Sequence, residues 1–188
     1  MGIIRNFDNT VMESIRNYLR CSFLDAIMPF ITKLGSAGAI WIVVAFAFLN
    51  STKYSRFGFM LIISLLACLL LGNLTLKPLV ERTRPCDMNT VIQLLIARPT
   101  DFSFPSGHTM SSFAAACVIW NANTNMGIVA FVLASLIAFS RLYLYVHYPS
   151  DILAGIIIGV FISVVVIWFF NVNVGHINFS LSSMVLQS

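Results

Sequence analysis

The sequence predicts an all-α fold: a polytopic membrane bundle of five to six transmembrane helices with an N-terminal amphipathic helix. Three observations predict it. Hydrophobic residues make up 59% of the chain and charged residues only 10%, against about 25% charged in soluble domains. So few charges cannot coat a water-facing surface. The mean hydropathy is +0.89. The apolar residues fall into runs, one of which, residues 57–76, is apolar throughout and has the roughly 20 residues that cross a bilayer core.

The elements follow in order. In residues 9–20, Val11, Met12, Ile15, Tyr18 and Leu19 recur at a spacing that suits a helix lying on the membrane. Residues 23–31 are apolar but short and hold Asp25, which suits a half-buried helix or the end of a tilted first span. Gly35, Ser36 and Gly38 then punctuate the chain. Further spans are expected at residues 37–49, 57–76, 107–120, 127–143 and 151–170. The polar stretch 77–104 is the longest between them, and its segment 91–98 (VIQLLIAR) is read as a short interfacial helix. Gly155 and Gly159 form a GxxxG pair that would let a neighbouring helix approach closely. The tail, residues 171–188, is polar and expected to be loosely ordered. The first twenty residues are too polar for the apolar core of a signal peptide. A length of 188 residues fits one domain, 1–188.

Composition also narrows function. The formal charge is +4, but no solvated basic face is present, so no nucleic-acid partner is expected. Cys21, Cys68, Cys86 and Cys117 contain no CxxC pair and read as free thiols.

Counting crossings from span 57–76 brings four helix ends to one face. They carry Lys77 and Arg84, then Ser106 and His108, then Arg141, then His147 and Asp151. Three short motifs hold these residues: Lys77 with Arg84-Pro85, Pro105-Ser106-Gly107-His108, and Ser140-Arg141 with His147 and Asp151. Arginine forks grip phosphate oxygens in pairs and lysine adds a point charge, so three such cations can neutralise a transferring phosphoryl group. Any one of them could instead snorkel to lipid headgroups. That does not explain three flanking two histidines. Ser106 is read as the N-cap of a helix whose first turn forms an anion site, and Gly107 as the point where backbone approaches the ligand. Asp151, four residues after His147, can fix that ring's tautomer and leave the other nitrogen free to attack. The expected division of labour has His147 as nucleophile, forming a phosphohistidine, and His108 as acid and then base. Lys77, Arg84, Ser106, Gly107 and Arg141 bind the phosphate. Arg82 and Arg98 lie outside the motif register and are expected to matter far less. No metal and no cofactor are expected, since the cations and the helix end already supply positive charge.

These three motifs, in this order and spacing, resemble the signature of the type 2 phosphatidic acid phosphatase superfamily over residues 77–151. The resemblance implies a helical bundle, usually of about six membrane helices, and metal-independent catalysis. It implies the same roles: His147 as nucleophile, Asp151 orienting it, His108 as acid–base, the remaining five on phosphate. Its soluble vanadium haloperoxidase branch is excluded by this chain's apolarity. Expected substrates are membrane lipid phosphates, led by undecaprenyl diphosphate, with phosphatidylglycerol phosphate, phosphatidate and a lipid A phosphate as alternatives.

The chain is expected in the cell membrane. Small bacterial members with this layout face their site away from the cytoplasm. The positive-inside rule points the other way, because five Lys/Arg lie on the active face and only Lys53 and Arg56 in the opposite turn. At least three of the five are explained by phosphate binding, which leaves the extracytoplasmic face as the expectation. Rivals from other classes are a metal-dependent hydrolase or transporter with a His/Asp site, and a non-catalytic lipid-binding protein. No HExxH is present, and adjacent cations would repel a metal.

Overall fold

The computed structural model describes the backbone of residues 2–185 and the side chains of residues 2–172. Among these residues the regular structure is all helical. Helix α1 (Ile3–Ser14) runs into a π-helical turn, Ile15–Leu19, and is followed by α2 (Ser22–Leu34) and α3 (Ala39–Leu49). Helix α4 (Ser55–Cys68) also continues as a π-helix, Leu69–Leu76. Two single turns follow, α5 (Lys77–Val80) and α6 (Pro85–Met88), and then the long helices α7 (Gly107–Ala122), α8 (Thr124–Tyr143) and α9 (Pro149–Val185).

Helix α7 is the central post. Ala114, Ala115 and Ala116 are all buried in it, and these small side chains let α8 and α9 pack on its flanks. The GxxxG of α9 faces α7 directly. A Cβ on Gly159 would come 2.3 Å from the Met110 carbonyl oxygen, and one on Gly155 would come 2.9 Å from that of Ser106. Trp41 of α3 closes the far side, its Nε1 donating to Ser112 Oγ at 2.9 Å. Large apolar side chains on the outer faces, among them Phe46, Leu70, Val129, Ile157 and Trp168, are exposed. That is the distribution expected where lipid replaces water as solvent.

Among the described residues three helices, Ser55–Met88, Thr124–Tyr143 and Pro149–Val172, are long and apolar enough to cross a membrane. A fourth crossing results if α2 and α3 form one span bent by 47° at their break. The bend lies where Gly35, Ser36 and Gly38 predict it, with Ala37 and Gly38 at positive φ. Helix α7, with 16 residues, is about 24 Å long at 1.5 Å per residue.

Several expectations are corrected. The N-terminal helix starts at Ile3, not near residue 9, and buries Asp8 and Met12. Its face toward the bundle is therefore partly polar. Segment 91–98 is not helical. Arg98 ties the segment to Asp87 Oδ1 at 2.7 Å and to the Cys86 carbonyl at 2.9 Å, holding it as a loop. The last span, expected at residues 151–170, is found at Pro149–Val172, within a helix whose backbone continues to Val185. Asn171 accepts a hydrogen bond from Arg56 at 2.8 Å, and no proline stops the backbone before Val185. His176, in the tail beyond the expected last span and read as dispensable, lies outside the residues whose side chains are described. All four cysteines are free thiols.

Candidate active site

Four helix ends and the loop before α7 build the site. The π-helical turn delivers its first cation. Thr75 Oγ1 donates to the Leu70 carbonyl five residues back, at 2.9 Å. The wider turn rotates the chain so that Lys77 points inward, only 6% exposed. Lys77 Nζ and Arg84 both pair with Asp101 of the loop preceding α7. Sequence reasoning did not find Asp101, whose partners lie 24 and 17 residues away in the chain. Burial raises the Asp101 carboxyl, but the hydrogen bonds and charges of Lys77 and Arg84 outweigh it and bring it down to about 2.

Arg84 is 2% exposed and fully engaged. Its Nε and Nη2 hold the Asp101 carbonyl and carboxylate, both at 2.8 Å, and Nη1 donates to the Val146 carbonyl at 2.5 Å. The same Nη1 lies 3.1 Å from Nε2 of His147. A guanidinium can only donate, so Nε2 is the unprotonated nitrogen and Nδ1 carries the proton. Nδ1 faces Asp151 Oδ2 at 3.6 Å, just beyond hydrogen-bond distance. Burial pushes the His147 imidazole down, the adjacent Asp151 pulls it back up, and Arg84 and Arg141 push it down again, leaving it at about 3. His147 is therefore a neutral base at pH 7.

Asp151 is fully buried and saturated. Its Oδ2 accepts from Ser103 Oγ at 2.5 Å and from the Tyr148 amide at 2.9 Å. Its Oδ1 accepts from Arg82 Nη1 at 2.5 Å. The last contact brings Arg82, which lies outside the motif register, against the residue beside His147. Arg82 bridges onward from Asp151 to Asp8 of α1, Nη2 to Oδ2 at 2.6 Å.

At the N-terminus of α7, Ser106 occupies the cap position, but its hydroxyl pairs with Thr109 Oγ1 at 2.9 Å rather than with a backbone amide. Its own amide donates to the Asp151 carbonyl at 3.2 Å, which ties α7 to α9. Gly107 leaves room for a neighbour within the protein: a Cβ there would come 2.7 Å from Asn73 Oδ1, a side-chain end that would have to shift. His108 lies in the first turn, its Nε2 3.4 Å from Ser36 Oγ, and the charges of Arg141, Lys77 and Arg84 all act on it. Arg141, 4% exposed, donates from Nη1 to Thr32 Oγ1 at 2.6 Å, while its buried Nε has no protein partner. A cavity of about 510 Å³ opens beside His108 and Lys77 and runs along Phe46, Ile62 and Leu66 of α3 and α4. Among the described residues no group of three His, Cys, Asp or Glu side chains could hold a metal ion.

The PAP2 superfamily profile matches residues 53–174. The chain belongs to the PAP2 superfamily. Its relatives within that superfamily include an undecaprenyl-diphosphatase of Sulfolobus acidocaldarius, 31% identical over 82% of this chain and 74% of that one. Phosphatidylglycerophosphatase B of Bacillus subtilis is 30% identical over 76% of this chain and 73% of its own length. Among solved structures, a transmembrane PAP2-type phosphatidylglycerolphosphate phosphatase from Bacillus subtilis superposes with a TM-score of 0.70 at 26% identity, covering 90% of this chain and 87% of that one. LpxE of Aquifex aeolicus shares the fold, with a TM-score of 0.70 at 24% identity over 89% of this chain and 99% of its own. This PAP2 chain is thus a membrane lipid phosphatase, a phosphoric ester hydrolase.

Proposed function

We propose that the protein hydrolyses undecaprenyl diphosphate to undecaprenyl phosphate and inorganic phosphate through a phosphohistidine on His147. The observation that carries the catalytic reading is the unprotonated Nε2 of His147 set beside the Arg84 guanidinium. Nε2 attacks the terminal phosphorus in line, and the bond to the bridging oxygen breaks. His108 protonates that oxygen as the lipid monophosphate leaves. His108 then takes a proton from water, which attacks the phosphohistidine and releases phosphate. Asp151 balances the charge that His147 gains at Nδ1. Lys77, Arg84, the free Nε of Arg141 and the first turn of α7 at Ser106 and Gly107 hold the phosphoryl oxygens.

The cavity beside His108 supports a lipid substrate: its apolar wall on α3 and α4 suits the start of a lipid tail while the phosphate stays with the cations. The relatives named undecaprenyl-diphosphatase favour the diphosphate, and the phosphatidylglycerophosphatase relatives make phosphatidylglycerol phosphate the second reading. Phosphate release from purified protein over both lipids, phosphatidate and a lipid A phosphate decides between them. Turnover of the diphosphate below that of phosphatidylglycerol phosphate overturns the first reading. Inhibition by orthovanadate and indifference to excess EDTA are expected. Loss of activity in EDTA, restored by zinc or magnesium, would sink the metal-free route.

The bundle is read as five crossings, the bent α2–α3 pair, α4, α7, α8 and α9, with α1 as an amphipathic helix at the surface beside the site. The site is read as extracytoplasmic. Lys77, Arg84 and Arg141 are buried in the protein, so they are not loop charges of the kind that set orientation. Val91, 93% exposed in the active-face loop, provides the test. A cysteine there, in a chain otherwise free of cysteine, should react with a membrane-impermeant maleimide in intact cells. Labelling only after permeabilisation reverses the orientation.

A further inference from the structure

The side chain of Asp8 is out of place on α1. Its neighbours Ile3, Ile4 and Phe7 are exposed, yet this carboxylate is 1% exposed. A buried charge is costly unless paired and hydrogen-bonded. Asp8 is held by three donors. Its Oδ1 accepts from the Ser150 amide at 2.9 Å, and its Oδ2 accepts from Ser150 Oγ at 2.7 Å and from Arg82 Nη2 at 2.6 Å. The other arm of Arg82 reaches Asp151 at 2.5 Å and Ser150 Oγ at 2.7 Å, and its guanidinium lies over the Tyr148 ring at 4.1 Å. Both arms and one face are thus used within the protein, and none is turned toward the phosphate-binding cations.

We propose that Asp8 and Arg82 are positioning residues for the nucleophile, forming an alternating-charge chain Asp8–Arg82–Asp151–His147 that couples α1 to the reacting ring. Arg82 fixes the Asp151 carboxylate by its Oδ1, which aims Oδ2 at His147 Nδ1. Taken alone, that cation would also drain Asp151 of the negative charge needed to balance the imidazolium formed on phosphorylation. Asp8 offsets the cation, so Asp151 is both anchored and still anionic toward His147. The fork is required, since a single ammonium cannot span two carboxylates with parallel bonds.

The inference rests on His147 as the phosphorylated residue, and the test separates the two claims. Full-length wild type, Asp8→Asn, Arg82→Lys and the double variant are purified in detergent. The folded fraction is measured by thermal melting, and phosphoenzyme formation from ³²P-labelled lipid diphosphate by rapid quench. Wild-type label should map to His147; label elsewhere sinks the reading beneath this one. Each single variant should form the adduct about tenfold more slowly or worse, as loss of a histidine's outer partner does, with KM within about twofold. The double variant should be no slower than Arg82→Lys, because Asp8 acts only through Arg82. A folded Asp8→Asn with the wild-type rate, a loss confined to KM, or multiplicative losses in the double variant overturns the proposal. So does failure of both single variants to fold, which would make the chain a structural staple.

Discussion

Nη1 of Arg84 sits 3.1 Å from Nε2 of His147 and 2.5 Å from the Val146 carbonyl. One donor group therefore fixes the backbone beside the histidine, selects its tautomer, and stands next to the atom proposed to attack phosphorus. Arg84→Lys keeps the charge but loses the fork, and Arg84→Ala loses both. Steady-state assays should show kcat down at least about 10²-fold for Arg84→Ala, and similarly for Lys77→Ala and Arg141→Ala, as for other lost transition-state stabilisers. Arg84→Lys should recover only a minor part. Arg98→Ala, whose partners are Asp87 and the Cys86 carbonyl, should stay near wild type.

Asp101 holds Lys77 and Arg84 in the place where phosphate oxygens are proposed to bind. A substrate phosphate must share these cations with it or displace it. Removing the negative charge in Asp101→Asn should tighten inhibition by orthovanadate about tenfold. Because the carboxyl is held at about 2, Asp101 stays ionised from pH 5 to pH 9, and the difference between wild type and variant should be flat across that window. An unchanged vanadate affinity would show that Asp101 does not compete for the cations.

His147 contributes to the pH dependence of stability. Its folded-state pKa of about 3 lies below the ordinary value of 6.5. Between those two values the unfolded chain binds a proton that the folded protein does not, so stability rises with pH in that window and is lost as pH falls from 6.5 toward 3. Melting temperature should therefore drop on acidification through this range. His147→Gln should make the slope shallower by the share of one histidine, and an identical slope in wild type and variant would show that His147 is not among the titrating groups.

Gly159 is where α9 meets the backbone of α7. A methyl group there would come 2.3 Å from the Met110 carbonyl oxygen, and backbone cannot move aside as a side chain can. Gly159→Ala should lower the melting temperature in detergent, at about 1–3 kcal/mol or more for overpacking. It should also reduce kcat, because the same helix pair sets Ser106 against Asp151. A variant as stable as wild type would mean that the two helices slide freely.

The sequence by itself determined the solvent, the helical class and the phosphate chemistry. Apolar runs near 20 residues leave lipid as the surrounding medium, and crossing parity then places Lys77, Arg84, His108, Arg141, His147 and Asp151 on one face. Those inferences need only local periodicity and motif spacing, both of which are one-dimensional. Only the tertiary structure decided which charge meets which. Asp8 lies 74 residues from Arg82, and Asp101 lies 24 from Lys77. An isolated Asp or Arg in a sequence has no feature that marks its partner. The sequence likewise has no feature that marks Asn73 as the side chain packed beside Gly107. Pairing of buried charges depends on distance and desolvation, and both exist only once the helices have packed.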